Sequence, residues 1–204
     1  MTRRPLITIV AGLAVAGLTT SCGSSSPATA PSTTPLTSPL TTPLTTPLTT
    51  APATPATVDE ATVVTFPEQS QDHVETPVSY AESPPIGGEH SKIWQNCGFY
   101  STPIASENAV HSMEHGAVWI TFSPDLPADQ QAELKSMAAG HSHVLISPFT
   151  GLTSPVVGSG WRIQERFATF DAAAIEAFIA TYENGIQTPE PGAPCDGALG
   201  DPES

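Results

Sequence analysis

The sequence has little positive charge. Its 204 residues include only six Lys and Arg against 20 Asp and Glu, for a formal net charge of −14. Such an anion is repelled by nucleic acid and by anionic lipid headgroups, which argues against both as binding partners and favours cations. The chain also lacks a Ser-centred nucleophile elbow, a Walker loop, a dinucleotide fingerprint and an Asp/Asn-rich calcium loop. The best-marked hydrolase and nucleotide-binding classes are therefore not indicated.

A long apolar run is missing too. Leu6–Leu18 has 13 residues, too few to span a bilayer, and it follows the positive pair Arg3 and Arg4, as in an export signal. The next residues, Leu-Thr-Thr-Ser-Cys22, resemble a bacterial lipobox, with Thr where Leu is usual. We predict a signal peptide over residues 1–21 and a lipid anchor on Cys22, which would hold the protein at the extracytoplasmic face of the cell membrane. Cleavage by the ordinary signal peptidase is the alternative.

Aromatic residues are absent before Phe66, although Thr and Pro are abundant there. Pro-Leu-Thr-Thr repeats between Pro39 and Thr50, and Pro at every fourth position blocks helices and sheets and favours extended polyproline II. Residues 22–61 are therefore predicted to be a disordered tether, and residues 62–204 a single globular domain.

Hydrophobic patterning in this domain changes from irregular to regular. Pro and Gly are frequent between Pro67 and Asn108, after a short strand candidate at Val63–Phe66. The later elements are predicted as strands at Ala117–Phe122, His143–Ser147 and over 155–163, and as helices over 125–140 and 171–184. The expected fold is α+β, with a loop-rich N-terminal half and a β-α-β-β-α C-terminal half.

Cysteine is scarce. Cys97 and Cys195 are the two that remain once Cys22 is lipidated, and an exported chain meets oxidising conditions. We expect a disulfide between them, which would tie the C-terminal tail to the loop-rich half. A thiolate metal site is the competing interpretation.

Histidines are concentrated in one stretch, since all six lie between His73 and His143. In His111-Ser-Met-Glu114-His115 a helix from about Glu107 would place both imidazoles and the carboxylate on one side. We predict a site for a transition metal such as copper or zinc, with His111, His115 and Glu114, and with His90 or His73 as a further ligand. His141 and His143 are predicted to be surface residues.

Two alternatives stay open for this cluster. The order H-x-x-E-H matches the inverzincin motif, so a metal-dependent hydrolase with Glu114 as general base is one, although Gly116 would end such a helix at once. The other is a metal-free module that docks an unidentified envelope protein through its loop-rich half, with imidazoles bonded only to the backbone.

Four segments in order resemble one known family. They are Pro84–His90, Trp94–Tyr100, Val110–Val118 and Pro189–Cys195. Over about residues 70 to 197 the chain is similar to the domain-of-unknown-function family numbered thirty-one-oh-five, found largely in actinobacterial lipoproteins and membrane-anchored proteins. The resemblance implies an envelope location and a domain boundary, but it implies no activity or catalytic residue.

Overall fold

A computed structural model describes residues 62–203. The predicted signal peptide, the lipidated Cys22 and the predicted tether up to residue 61 lie outside the described residues. Within residues 62–203, no helix is both long and apolar enough to cross a membrane.

One mixed sheet of six strands forms the centre of the domain, in the order β1-β6-β5-β3-β4-β2. The strands are β1 (Val64–Thr65), β2 (Gly98–Phe99), β3 (Val118–Phe122), β4 (Val144–Pro148), β5 (Val156–Gly160) and β6 (Ile163–Phe167). β4 runs parallel to β2 and β3, whereas β5 is antiparallel to both β3 and β6. The three central strands β3, β4 and β5 are fully buried because both faces of the sheet are covered.

Three helices cover the sheet: α1 (Ser106–Glu114), α2 (Ala128–Ala139) and α3 (Ala172–Tyr182). Apolar residues of α2 and α3 share one core with Val118, Ile120 and Phe122 of β3. Trp119, the alternate residue of β3, belongs to a second core with apolar residues of α1. Because successive side chains of a strand point to opposite faces, α1 lies on the face away from α2 and α3.

The α+β class and the loop-rich first half are confirmed, since residues 62–105 contain only two strands of two residues each. The segment 155–163, predicted as one strand, needs correction. It divides between β5 and β6, which form a hairpin around Trp161 and Arg162. Arg162 has a positive φ of 64°, and its amide donates to the carbonyl of Ile86. The turn buries the Trp161 indole beside the loop that carries His90.

His141 and His143 are half-buried, which corrects the prediction that both are surface residues. The two ring nitrogens of His141 lie 2.7 Å from a Glu183 carboxylate oxygen and 3.0 Å from a Glu176 oxygen. Glu183 also accepts the amide of His143 at 2.7 Å. We call this set, which joins the end of α2 to α3, the His141 clamp.

The clamp has a defined pH range. Burial alone would lower the pKa of His141, but both carboxylates outweigh burial and raise it above 6.5. Burial would raise the pKa of Glu183, but hydrogen bonds from the His143 amide and the His141 ring lower it below 4.5. The stability that charged His141 contributes is complete below pH 6.5 and is lost as the pH rises through its raised pKa. The stability that charged Glu183 contributes is complete above pH 4.5 and is lost as the pH falls through its lowered pKa. The clamp therefore stabilises the fold most between pH 4.5 and 6.5.

Candidate metal centre

Four of the predicted ligands converge on the α1 side of the sheet. Ligand atoms of His73, His90, His111 and Glu114 all lie within 4.8 Å of one another, and three of these residues are buried. His73 is the exception, with 48% of its side chain exposed. The group therefore opens to solvent at His73 and is enclosed elsewhere.

Helix α1 supplies His111 and Glu114, which lie three residues apart and so share one side of the helix. Ala109, Val110 and Met113 anchor the helix in the second core. The helix ends immediately after Glu114 in a Schellman motif, in which the amide of Gly116 donates to Met113 and that of Ala117 donates to Ser112. Gly116 accepts this ending because its φ is 115°, where a side chain would be strained.

The loop-rich half supplies the other two histidines. Gly87 and Gly88 have φ values of 136° and 112°, and this turn directs His90 inward, where it is fully buried. The amide of Val74 donates to the His90 carbonyl at 2.7 Å, and the His90 amide donates to Asp72 at 3.1 Å. This pairing of two loops holds His73 beside His90, with ring centroids 4.8 Å apart.

Backbone carbonyls fix the orientation of three of the rings. Nδ1 of His90 lies 2.8 Å from the carbonyl of Gly88, and Nδ1 of His111 lies 2.6 Å from that of Ser91. Nδ1 of His115 lies 2.6 Å from the carbonyl of Pro194. A carbonyl oxygen can only accept a hydrogen bond, so each Nδ1 must carry a proton. In a neutral ring Nε2 is then unprotonated and carries a lone pair.

These Nε2 atoms face other acceptors. Nε2 of His90 lies 3.0 Å from Oε2 of Glu114, and Nε2 of His73 lies 3.7 Å from the same oxygen. Nε2 of His111 lies 2.9 Å from Nε2 of His115. Neutral rings would thus set lone pairs against a carboxylate and against each other, an arrangement that requires either additional protons or a cation.

Burial disfavours additional protons at His111. Burial, with a smaller contribution from the neighbouring His115, His90 and His73, outweighs the opposing effect of the bond to Ser91 and lowers the pKa of this imidazole to about 4. The ring is therefore neutral near pH 7, with Nε2 available as a ligand.

His115 lies beside this group and does not join it, although the sequence predicted that it would share an ion with His111. Its ring is at the C-terminal end of α1, and the Trp94 indole packs against it with centroids 5.0 Å apart. Trp94 also contacts His111, at 5.7 Å. Sequence reasoning did not identify Trp94, and the available signal was its place in a segment of the family resemblance.

The C-terminal tail contributes Glu190, which sequence reasoning also missed. The Glu190 amide donates to the carbonyl of Glu114 at 3.0 Å, and its carboxylate lies 3.9 Å from Nε2 of His115. The expected disulfide is confirmed, because Cys97 is bonded to Cys195. The bond fastens the tail, including the Pro194 carbonyl, against the segment that carries Trp94.

The position of Glu114 bears on the hydrolase alternative. In the inverzincin motif two histidines bind the metal and the glutamate activates water. Here the Glu114 carboxylate is itself one of the converging ligand atoms, whereas the motif's second histidine, His115, is outside the group. The arrangement thus resembles a set of three imidazoles and one carboxylate more than that motif.

Comparison with known proteins gives a family and no activity. Neither the curated proteins nor the solved structures include a match to this chain. One family model matches residues 73–197, more than half of the chain, from His73 to just beyond Cys195. The chain therefore belongs to the family described as Protein of unknown function (DUF3105).

Proposed function

We propose that this domain binds a transition metal ion, such as zinc or copper, through His73, His90, His111 and Glu114, as a lipoprotein of the cell envelope. Imidazole nitrogens suit both metals, and one carboxylate completes a mixed set of four ligands. The ion would be reached from solvent past the half-exposed His73.

The observation that carries this proposal is the orientation of the rings. In metal sites, a ligating histidine almost always donates its other ring N–H to a carbonyl or carboxylate, which fixes the tautomer. The Nδ1 atoms of His90 and His111 have such partners in Gly88 and Ser91. With Nδ1 occupied in this way, Nε2 of His90 is left facing the Glu114 carboxylate and Nε2 of His111 is left facing that of His115, and a bound cation would satisfy these lone pairs.

The spacing and charge of the group support the same conclusion. Zinc–ligand bonds of about 2.0–2.1 Å in a tetrahedral site place ligand atoms about 3.4 Å apart. The ligand atoms of this group lie within 4.8 Å of one another, so they would have to approach by at most about 1.4 Å, a distance that side-chain rotation can supply. Glu114 is buried, and its ion-pair partners in the described part of the chain are histidines, so a cation would neutralise an otherwise costly charge.

The envelope location rests on the sequence and is supported by the disulfide. Disulfides persist in oxidising compartments and are rare in the cytosol, so a bond between Cys97 and Cys195 fits an exported protein. The predicted anchor on Cys22 is tested separately, by intact mass spectrometry of the protein extracted from membranes.

The test of metal binding is elemental analysis of the full chain, purified without an affinity tag and dialysed against zinc or copper. We expect at least one ion per wild-type chain and a large loss of bound metal in the double variant His90→Gln/His111→Gln. His143→Gln is the matched control, since it removes a histidine outside the group and should retain the ion.

Circular dichroism of each variant distinguishes loss of a ligand from loss of the fold. Equal metal content in the wild type and in a folded double variant would refute the proposal. A wild-type chain that binds no metal would favour a metal-free interaction module instead.

A further inference from the structure

We infer that a second, weaker cation position lies between His115 and Glu190, adjacent to the proposed ion. The inference rests on the proposed function, because the second position becomes available when His111 ligates the first ion. It would take a divalent transition metal and would make the centre dinuclear.

The first step concerns His115. Only 6% of its side chain is exposed, and its Nδ1 proton is committed to the Pro194 carbonyl at 2.6 Å. In the neutral ring Nε2 then carries a lone pair, and its close neighbour is Nε2 of His111 at 2.9 Å. These two lone pairs oppose each other unless a positively charged species lies close to them.

The second step concerns what a single ion can reach. The ligand atoms that converge on one point belong to His73, His90, His111 and Glu114, and His115 lies outside that set. An imidazole Nε2 has one lone pair, so once His111 binds the first ion its Nε2 can no longer share a proton with Nε2 of His115. Occupation of the first site thus leaves a buried lone pair on His115.

The third step concerns the carboxylate on the other side. Glu190 Oε2 lies 3.9 Å from the His115 nitrogen, about 0.5 Å more than the spacing of about 3.4 Å between two ligands of one tetrahedral ion, and the exposed Glu190 side chain can rotate to close that difference. Its backbone is fixed there, because the Glu190 amide donates to the Glu114 carbonyl and the amide of Gly192 donates to the His115 carbonyl. One imidazole, one carboxylate and water would complete this position.

Unequal burial predicts unequal affinity. The first position has four protein ligands, three of them buried, whereas the second has two, and Glu190 is 60% exposed. Fewer and more mobile ligands bind less tightly, so the second ion should bind about tenfold or more weakly than the first. The proposal therefore predicts stepwise loading.

The experiment is a titration of the full chain with Zn²⁺ alone, followed by native mass spectrometry and calorimetry. We expect two ions per wild-type chain in two steps. Glu190→Gln should bind only one ion, with the first affinity unchanged within about twofold. Glu133→Gln, the same charge change on an exposed residue of α2, should keep both steps.

His115→Gln provides a second variant, which should also lose the weaker step while retaining the stronger. Wild-type protein that saturates at one ion, with Glu190→Gln unchanged, would overturn the second position and leave the proposed function standing. Wild-type protein that binds no Zn²⁺ would overturn the second position, and the proposed function would be overturned only if the chain also binds no copper.

Discussion

Removal of the disulfide should cost the domain a large share of its stability. Cys97 and Cys195 are 98 residues apart in sequence, so the bond closes most of the domain into one loop. In the chain-entropy model a loop of that length stabilises the fold by about 4–5 kcal/mol. Small domains have a free energy of unfolding of only about 5–15 kcal/mol, so Cys97→Ser/Cys195→Ser should be severely destabilised.

The assay is guanidinium unfolding of the full chain with EDTA present, followed by fluorescence of Trp94, Trp119 and Trp161. The free energy of unfolding should fall by about 4 kcal/mol, and the melting temperature by roughly 10–15 °C. The m-value should rise in the variant, because an unfolded chain without the cross-link exposes more surface. A loss below about 1 kcal/mol with an unchanged m-value would refute the loop-closure reasoning.

Three further changes test local parts of the structure. Glu183→Gln should lower the free energy of unfolding by about 1–2 kcal/mol at pH 5.5 and by less at pH 8.5, and an equal loss at both would contradict the pH range of the His141 clamp. His73→Ala should weaken zinc binding about tenfold in chelator competition, and unchanged affinity would remove His73 from the ligand set. The free energy of unfolding of the metal-free variant should stay within about 0.5 kcal/mol of the wild type, because the ring is half exposed. Gly116→Ala should cost about 1–2 kcal/mol in urea melts, unlike Gly140→Ala at an ordinary negative φ, and a neutral result would contradict the Schellman ending of α1.

The helix that carries His111 was predictable because its signals are local. Gly116 follows the last helical turn and marks its end, so the expected span from about Glu107 to His115 differs from α1 by one residue at each end. The β5–β6 hairpin was missed for a related reason. Its turn uses Trp161 and Arg162, which carry no Asn-Gly or Gly signal, and the positive φ of Arg162 is uncommon for a residue with a side chain.

The remainder of the site depends on contacts between distant segments. His73 and His90 meet because two loops pair through the Val74 and His90 backbone, and hydrophobic periodicity does not encode that pairing. Glu190 reaches the site because its tail is fastened by the disulfide. The expected bond at Cys195 already placed this tail near the early loop, so the sequence held a signal for Glu190 that hydrophobic patterning alone could not supply.

The most direct test of the metal centre is X-ray absorption at the zinc edge, on the full chain loaded with one equivalent of Zn²⁺. We expect nitrogen and oxygen ligands at about 2.0–2.1 Å, with the outer-shell scattering of about three imidazoles. The imidazole signal should weaken in His90→Gln/His111→Gln. A spectrum with no imidazole scattering, or with a sulfur shell near about 2.3 Å, would contradict a centre built from these histidines and Glu114.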